Sequence, residues 1–332
     1  RRHDYAVATD YAAKSAEAGE SYVRFNPSDL NSWVYWVRGL DQQASVLLEQ
    51  GRIGDAIDGY RKLVALDRDA RKPASLAPLL WNNWGQLTIN ESRAGQFDAA
   101  RKSQLVAAAA AKETGSIEKS GSARQALFDM FGDALQARLD LDQGNNQAAF
   151  DQAAQLTSRM RALDFSQDET GGNIRDANAV RANFLRNTLA TLTLAALRTG
   201  RYGEAEAAAR ERAALPPNPF SELDPQDEKS RAQVTLAHAL LLQGRTDEAR
   251  AITEVEIPRY RAELKAGAGG LAFAKDFSYA LYVDALARPV SDPRRNADLA
   301  EALRQLDGMG DEVNRLVDIR ELRGRIGAAG SG

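Results

Sequence analysis

An all-α solenoid of about six stacked antiparallel helix hairpins is the fold class that this 332-residue chain predicts. Three observations carry it. A Gly followed five residues later by an Ala recurs five times, at Gly51–Ala56, Gly95–Ala100, Gly144–Ala149, Gly200–Ala205 and Gly244–Ala249. Seven residues before each Gly stands a small residue: Ala44, Thr88, Ala137, Thr193 or Ala237. Long runs of helical composition flank each copy, and no stretch alternates convincingly enough to be a strand. Each copy reads as a hairpin bend. Gly ends the first helix in the left-handed conformation at no steric cost. In four copies an acidic residue (Asp55, Asp98, Glu204, Glu248) falls near the start of the second helix, where the dipole favours it.

Taken in order, residues 4–25 are helical in composition and stop at Asn26-Pro27, a turn signal. This segment (1–26) reads as the second helix of a partial preceding repeat. Five helix pairs are expected over 27–265. Ser28 or Asp29 can cap the first, which runs to about Gln50. Trp33 and Trp36 lie on it, and Trp81 and Trp84 on the matching helix of the next pair. Spacing of three sets each couple on one face, which serves either inter-repeat packing or an aromatic ligand platform. Polar loops are expected at Glu113–Ser122, Asp164–Ile174 and Pro216–Pro225, and Pro258 is expected to start or kink the last segment of the fifth pair. Ala266–Gly270 is flexible by composition. A degenerate sixth pair (Ala272–Leu286, Asn296–Leu306) and an amphipathic capping helix (Asp311–Ile326) fill 266–326, and 327–332 is expected to fray.

The small residue, the bend Gly and the following Ala occupy the positions that mark the tetratricopeptide repeat family, and the chain resembles that family over most of its length. Leu87, Leu192 and Leu236 before the small residue, and Tyr60, Ala153 and Ala209 nine residues after the Gly, add to the resemblance. Spacing departs from it: the bends lie 44, 49, 56 and 44 residues apart, against about 34 for a regular repeat. Longer second helices and inserted loops would account for the excess.

Composition narrows the function classes. The net charge of −3 supplies no basic field, so nucleic acid is not an expected partner. Without cysteine, disulfides and thiolate metal sites are excluded, while both reducing and oxidising compartments remain open, cytoplasm or periplasm. No apolar run approaches the roughly 18 residues of a membrane span. Two histidines, His3 and His238, and no HExxH, GxSxG, P-loop or Rossmann fingerprint leave little for catalysis. The acidic loops lack the ligand spacing of an EF-hand. No cofactor or metal is expected, and the chain is read as no enzyme. Ala- and Arg-rich usage gives it a bacterial look, and the start at Arg1 is compatible with an upstream domain.

The resemblance implies a non-enzymatic scaffold that binds a protein or peptide on the concave face. The family's contact positions, counted back from each bend Gly, fall here on Arg38, Gln42 and Ser45; Asn82, Gln86 and Ile89; Arg138; Asn187 and Thr191; and Arg231, Thr235 and His238. Phe131, Leu135 and Leu194 occupy the remaining positions, and no Lys stands among them. The mixture of amides, hydroxyls and three arginines suits an extended guest with backbone amides and an acidic group. The alternative is an effector-sensing domain of a larger bacterial regulatory protein; an all-α enzyme comes third.

Overall fold

The structure, a computed structural model, describes residues 5–117, 122–165, 174–217 and 225–331. Among them are fifteen α-helices, two short 3-10 turns (Leu66–Arg68, Ala74–Leu76) and no strand. Helix α1 (Tyr5–Phe25) precedes six antiparallel pairs: α2 (Leu30–Glu49) with α3 (Ile53–Ala65), α4 (Ala77–Arg93) with α5 (Phe97–Ile117), α6 (Ser122–Asp142) with α7 (Asn146–Arg161), α8 (Ile174–Arg198) with α9 (Tyr202–Ala214), α10 (Pro225–Leu242) with α11 (Thr246–Lys265), and α12 (Leu271–Leu286) with α13 (Pro293–Asp307). A one-turn α14 (Asp311–Asn314) and a final α15 (Val317–Gly330) follow.

The bends work as the sequence requires. All five signature glycines have positive φ, from 74° at Gly200 to 83° at Gly144. The residue after each donates its amide back across the turn, as Arg52 does to the Leu47 carbonyl at 3.0 Å and Asn145 to Asp140 at 2.8 Å. This 6→1 bond satisfies a carbonyl that the helix end would otherwise orphan. Asp29 caps α2 by accepting from the amides of Asn31 and Ser32.

The four tryptophans serve packing. Trp33 is fully buried and donates Nε1–H to the Pro27 carbonyl at 2.8 Å. Trp81 stands edge-on to Phe131, with ring centres 4.7 Å apart. No platform is left exposed.

The ends of the array meet. Tyr5 of α1 donates to the Gly269 carbonyl (2.9 Å), Glu49 accepts from the Ala272 amide (3.1 Å), and Glu312 accepts from the Gly54 amide (3.0 Å). One hydrophobic core accordingly joins Val23, Trp33, Ile57 and Leu80 to Phe277, Leu281, Leu306 and Ile319. A second core, with Leu127, Met130, Met160, Phe184 and Leu189, fills the middle pairs. Six pairs thus make one superhelical turn that closes on itself.

Several expectations are corrected. Residues Glu113–Ile117 continue α5 and bury Thr114, whose hydroxyl donates to the Ala110 carbonyl; 118–121 lie outside the described residues. The extra length is not confined to second helices, since the first helix α8 runs for 25 residues. Helix α11 continues through Pro258 and does not start there; both Pro258 and Glu254 are exposed, so the carbonyl that loses its donor can face water. Ala266–Gly270 is no free linker: it forms another such turn, with Gly267 at φ 90°, and Tyr5 pins it. The terminal helix breaks at Leu316, whose extended backbone separates α14 from α15. Residues expected to fray instead stay helical to Gly330, held by Arg295 on the Ala329 carbonyl. Most of the Asp164–Ile174 and Pro216–Pro225 loops, and His3, lie outside the described residues.

Candidate functional site

The first helices of the pairs line the inside of the turn, and α15 lies across it, packed on α13 and α12 and reaching α4. Between them is a cavity of about 370 Å³. Its wall takes residues from α2, α4, α6, α8, α9, α10, α11, α12 and α15. Helix α15 is therefore more than a cap on one end of the array, because its Asp318, Glu321, Leu322 and Arg325 form one side of the chamber.

Seven cations (Arg93, Arg138, Arg198, Arg212, Arg231, Lys275, Arg325) face five carboxylates (Glu49, Asp142, Asp276, Asp318, Glu321). Most are paired. Asp318 Oδ2 lies 2.8 Å from Lys275 Nζ and 3.2 Å from Arg93 Nε. Burial alone would raise the Asp318 carboxyl, but the combined pull of Arg93, Lys275 and Arg138 outweighs it and holds the group well below the usual carboxylate range. Asp142 accepts from Arg138 at 3.1 Å and from the Ser92 hydroxyl at 2.8 Å. Glu321 pairs with Arg325 (2.6 Å) and with Arg198, which also donates to the Leu141 carbonyl (2.7 Å). Arg231 pairs with Asp276. Glu49 has no salt bridge among the described residues, and burial raises its carboxyl. Arg212 makes no hydrogen bond or ion pair among the described residues, and its Nε is shut off from solvent. Leu141, Leu194, Leu197, Val234, Leu271 and Leu322 supply the apolar part of the wall.

Of the twelve residues expected on the concave face, Arg138, Asn187, Arg231 and Thr235 converge on this cavity. Arg38, Gln42 and Asn82 are exposed and do not line it. Ser45, Gln86 and Ile89 are half-buried, Ser45 within 3.0 Å of the Tyr60 hydroxyl. Thr191 and His238 are buried in helix packing. Sequence reasoning missed Arg93, Arg198, Arg212, Lys275 and the α15 carboxylates. Arg93 and Arg198 stand in the last turn of their helices, a visible signal, but one explained equally well by the helix dipole.

His238 sits behind the wall, its Nδ1 2.6 Å from the hydroxyl of the cavity residue Tyr279 and its ring edge-on to Tyr282. Burial, then the nearby Arg325 cation, pushes its pKa down to about 4. A free histidine titrates near 6.5, so the unfolded chain binds the proton first. The contribution of neutral His238 is complete above about pH 6.5 and is lost as pH falls toward 4, by about 3 kcal/mol in all. Asp298 opposes it: burial and Asp284 raise its pKa to about 6, which favours the fold on acidification over part of the same range. The expected outcome is therefore a difference. Denaturation midpoints of wild type and His238→Gln, followed from pH 7 to 4, should converge or cross because the wild type alone loses this contribution.

No protein-family model matches the chain, and no curated protein matches it. Among solved structures it is similar to the crystal structure of BtubC (BKLC) from P. vanneervenii, with 17% identity and a TM-score of 0.51. The similarity covers 79% of this chain and 92% of that one. At such identity the likeness concerns the fold alone.

Proposed function

We propose that the chain is a non-enzymatic binding module whose concave face, roofed by α15, holds a small effector. The observation that carries this is the convergence of Arg138, Asn187, Arg231 and Thr235, from three successive first helices, on one cavity. Its volume of about 370 Å³ falls within the range of small-molecule sites, and its wall mixes apolar side chains with a few fixed polar groups. Four of the five carboxylates are tied to cations and Glu49 to a backbone amide, which disfavours paired-carboxylate acid–base work. Among the described residues no group of three His, Cys, Asp or Glu could hold a metal ion.

The scaffold reading keeps one specific support. The exposed Arg38, Gln42 and Asn82 on α2 and α4 leave polar groups free for a peptide outside the cavity. A thermal-shift screen of small metabolites separates the two. Wild type should gain stability with at least one compound, and Ala190→Trp, which fills the cavity from α8, should lose that gain. An unchanged response in Ala190→Trp would move the site out of the cavity and favour the open α2–α4 surface.

A further inference from the structure

The charges of the wall go further than its size. Cations outnumber carboxylates by two along the cavity. Six of the seven have a carboxylate partner; the seventh, Arg212 on α9, has none among the described residues. Burial, then the neighbouring Arg231 cation, pushes the Arg212 pKa down to about 10, so the group still carries its charge at neutral pH. Two carboxylates act on it from a distance, and both are already engaged: Asp276 with Arg231 and Glu228 with Arg186. A half-buried guanidinium whose Nε is shut off from solvent and unpaired is costly, and its planar fork matches a carboxylate or phosphate in two-point geometry. Beside these cations the wall turns apolar at Leu194, Leu197 and Val234.

Resting on the assignment of the cavity as the binding site, we propose that its guest is a small organic oxyanion, with its carboxylate or phosphate seated on Arg212 beside Arg231 and its apolar body against Leu194, Leu197 and Val234. The guest supplies the negative charge that no described residue gives Arg212. It also ties α9 to α10 at the point where no side chain of the protein does so through Arg212. Binding should therefore stabilise the fold by mass action.

Calorimetric titration with hexanoate, hexanol and inorganic phosphate tests this on wild type, Arg212→Met and Arg101→Met, a control at an exposed position of α5 away from the cavity. Hexanoate or phosphate should bind wild type and Arg101→Met alike, and hexanol at least about tenfold more weakly. Arg212→Met, which removes an unpaired charge, should keep or raise its melting temperature and lose the anion preference. Hexanoate binding without phosphate assigns a carboxylate head, and phosphate binding alone a phosphate head. Hexanol bound as tightly as hexanoate would overturn the oxyanion assignment while leaving the cavity as a binding site. Arg212→Met retaining wild-type anion affinity would overturn the seat. Absence of binding by all three probes at millimolar concentration would overturn both. The wild-type contrast between hexanoate and hexanol needs no variant, so a misfolded Arg212→Met would not rescue the proposal.

Discussion

Asp318→Ala is expected to cost about 3–5 kcal/mol, the penalty for removing one member of a buried charge cluster. Asp318 is the shared anion of Lys275 and Arg93, and Arg138 adds to its field. It also stands in the first turn of α15, where a negative charge meets the helix dipole favourably. Its loss leaves two cations facing each other across the cavity with no counter-charge at that corner. The damage should be directional. Amides of α15 should exchange with solvent far faster, while those of the α6–α7 pair, which belongs to the other core, should change least. Asp318→Asn should recover only part of the loss, since an amide can accept from Lys275 but carries no charge. Urea titration of the three proteins measures the effect, and a loss under 1 kcal/mol for Asp318→Ala would mean that α15 is held by its apolar face alone. Because the Asp318 carboxyl is depressed, its contribution is present above the unfolded value near 4 and disappears as pH falls below it. That window lies below the His238 one.

The second large effect is steric. Gly39 of α2 lies against the backbone of α1: an added Cβ would stand 2.6 Å from the Ala16 nitrogen, 2.7 Å from its Cα and 2.8 Å from the Ser15 carbonyl carbon. Gly19 returns the contact, its own added Cβ lying 2.5 Å from Trp36 Cα. In a helix Gly→Ala ordinarily gains about 1 kcal/mol from backbone propensity. Here three backbone contacts under 3 Å must be relieved, and overpacking of this kind costs about 1–3 kcal/mol or more. Net destabilisation is expected for Gly39→Ala, read as a lowered melting temperature and a change in Trp36 fluorescence. The control is Gly203→Ala in α9, where nothing lies within 4 Å of the added methyl and the propensity gain should appear unopposed. Equal effects of the two substitutions would contradict the close α1–α2 packing.

What was legible in the sequence was local. A bend Gly must take positive φ whatever surrounds it, so five bends, the helix pairs and the Asp29 cap could be placed from the chain alone. The break at Leu316 could not, because Val313, Leu316, Ile319 and Leu322 keep a helical spacing of three on both sides of it. Only packing decides that Val313 and Leu316 are buried in separate turns. The same holds for the site. Counting back from the bends found Arg138, Asn187, Arg231 and Thr235 because each stands thirteen, nine or six residues before its bend Gly, on one stripe of a first helix. Arg93, Arg212, Lys275 and Asp318 belong to no common register, and they come together through the accumulated rotation from pair to pair, which no short motif records. Arg38 and Asn82, on the same stripe, remain outside, because α2 and α4 reach the cavity only with their last residues, Glu49 and Arg93, whereas α8 and α10 also line it further back.

The cavity exists only if the two ends of the array touch. The chain has no cysteine, so a double variant, Gly54→Cys with Glu312→Cys, carries the only two thiols. These positions join α3 to α14, where Glu312 now accepts from the Gly54 amide. Under native conditions a bismaleimide about 8 Å long should link them within one chain at low protein concentration, giving a single cross-linked tryptic peptide by mass spectrometry. Thiols that react singly in the folded protein, and join only between chains or after unfolding, would show an open array with no enclosed site.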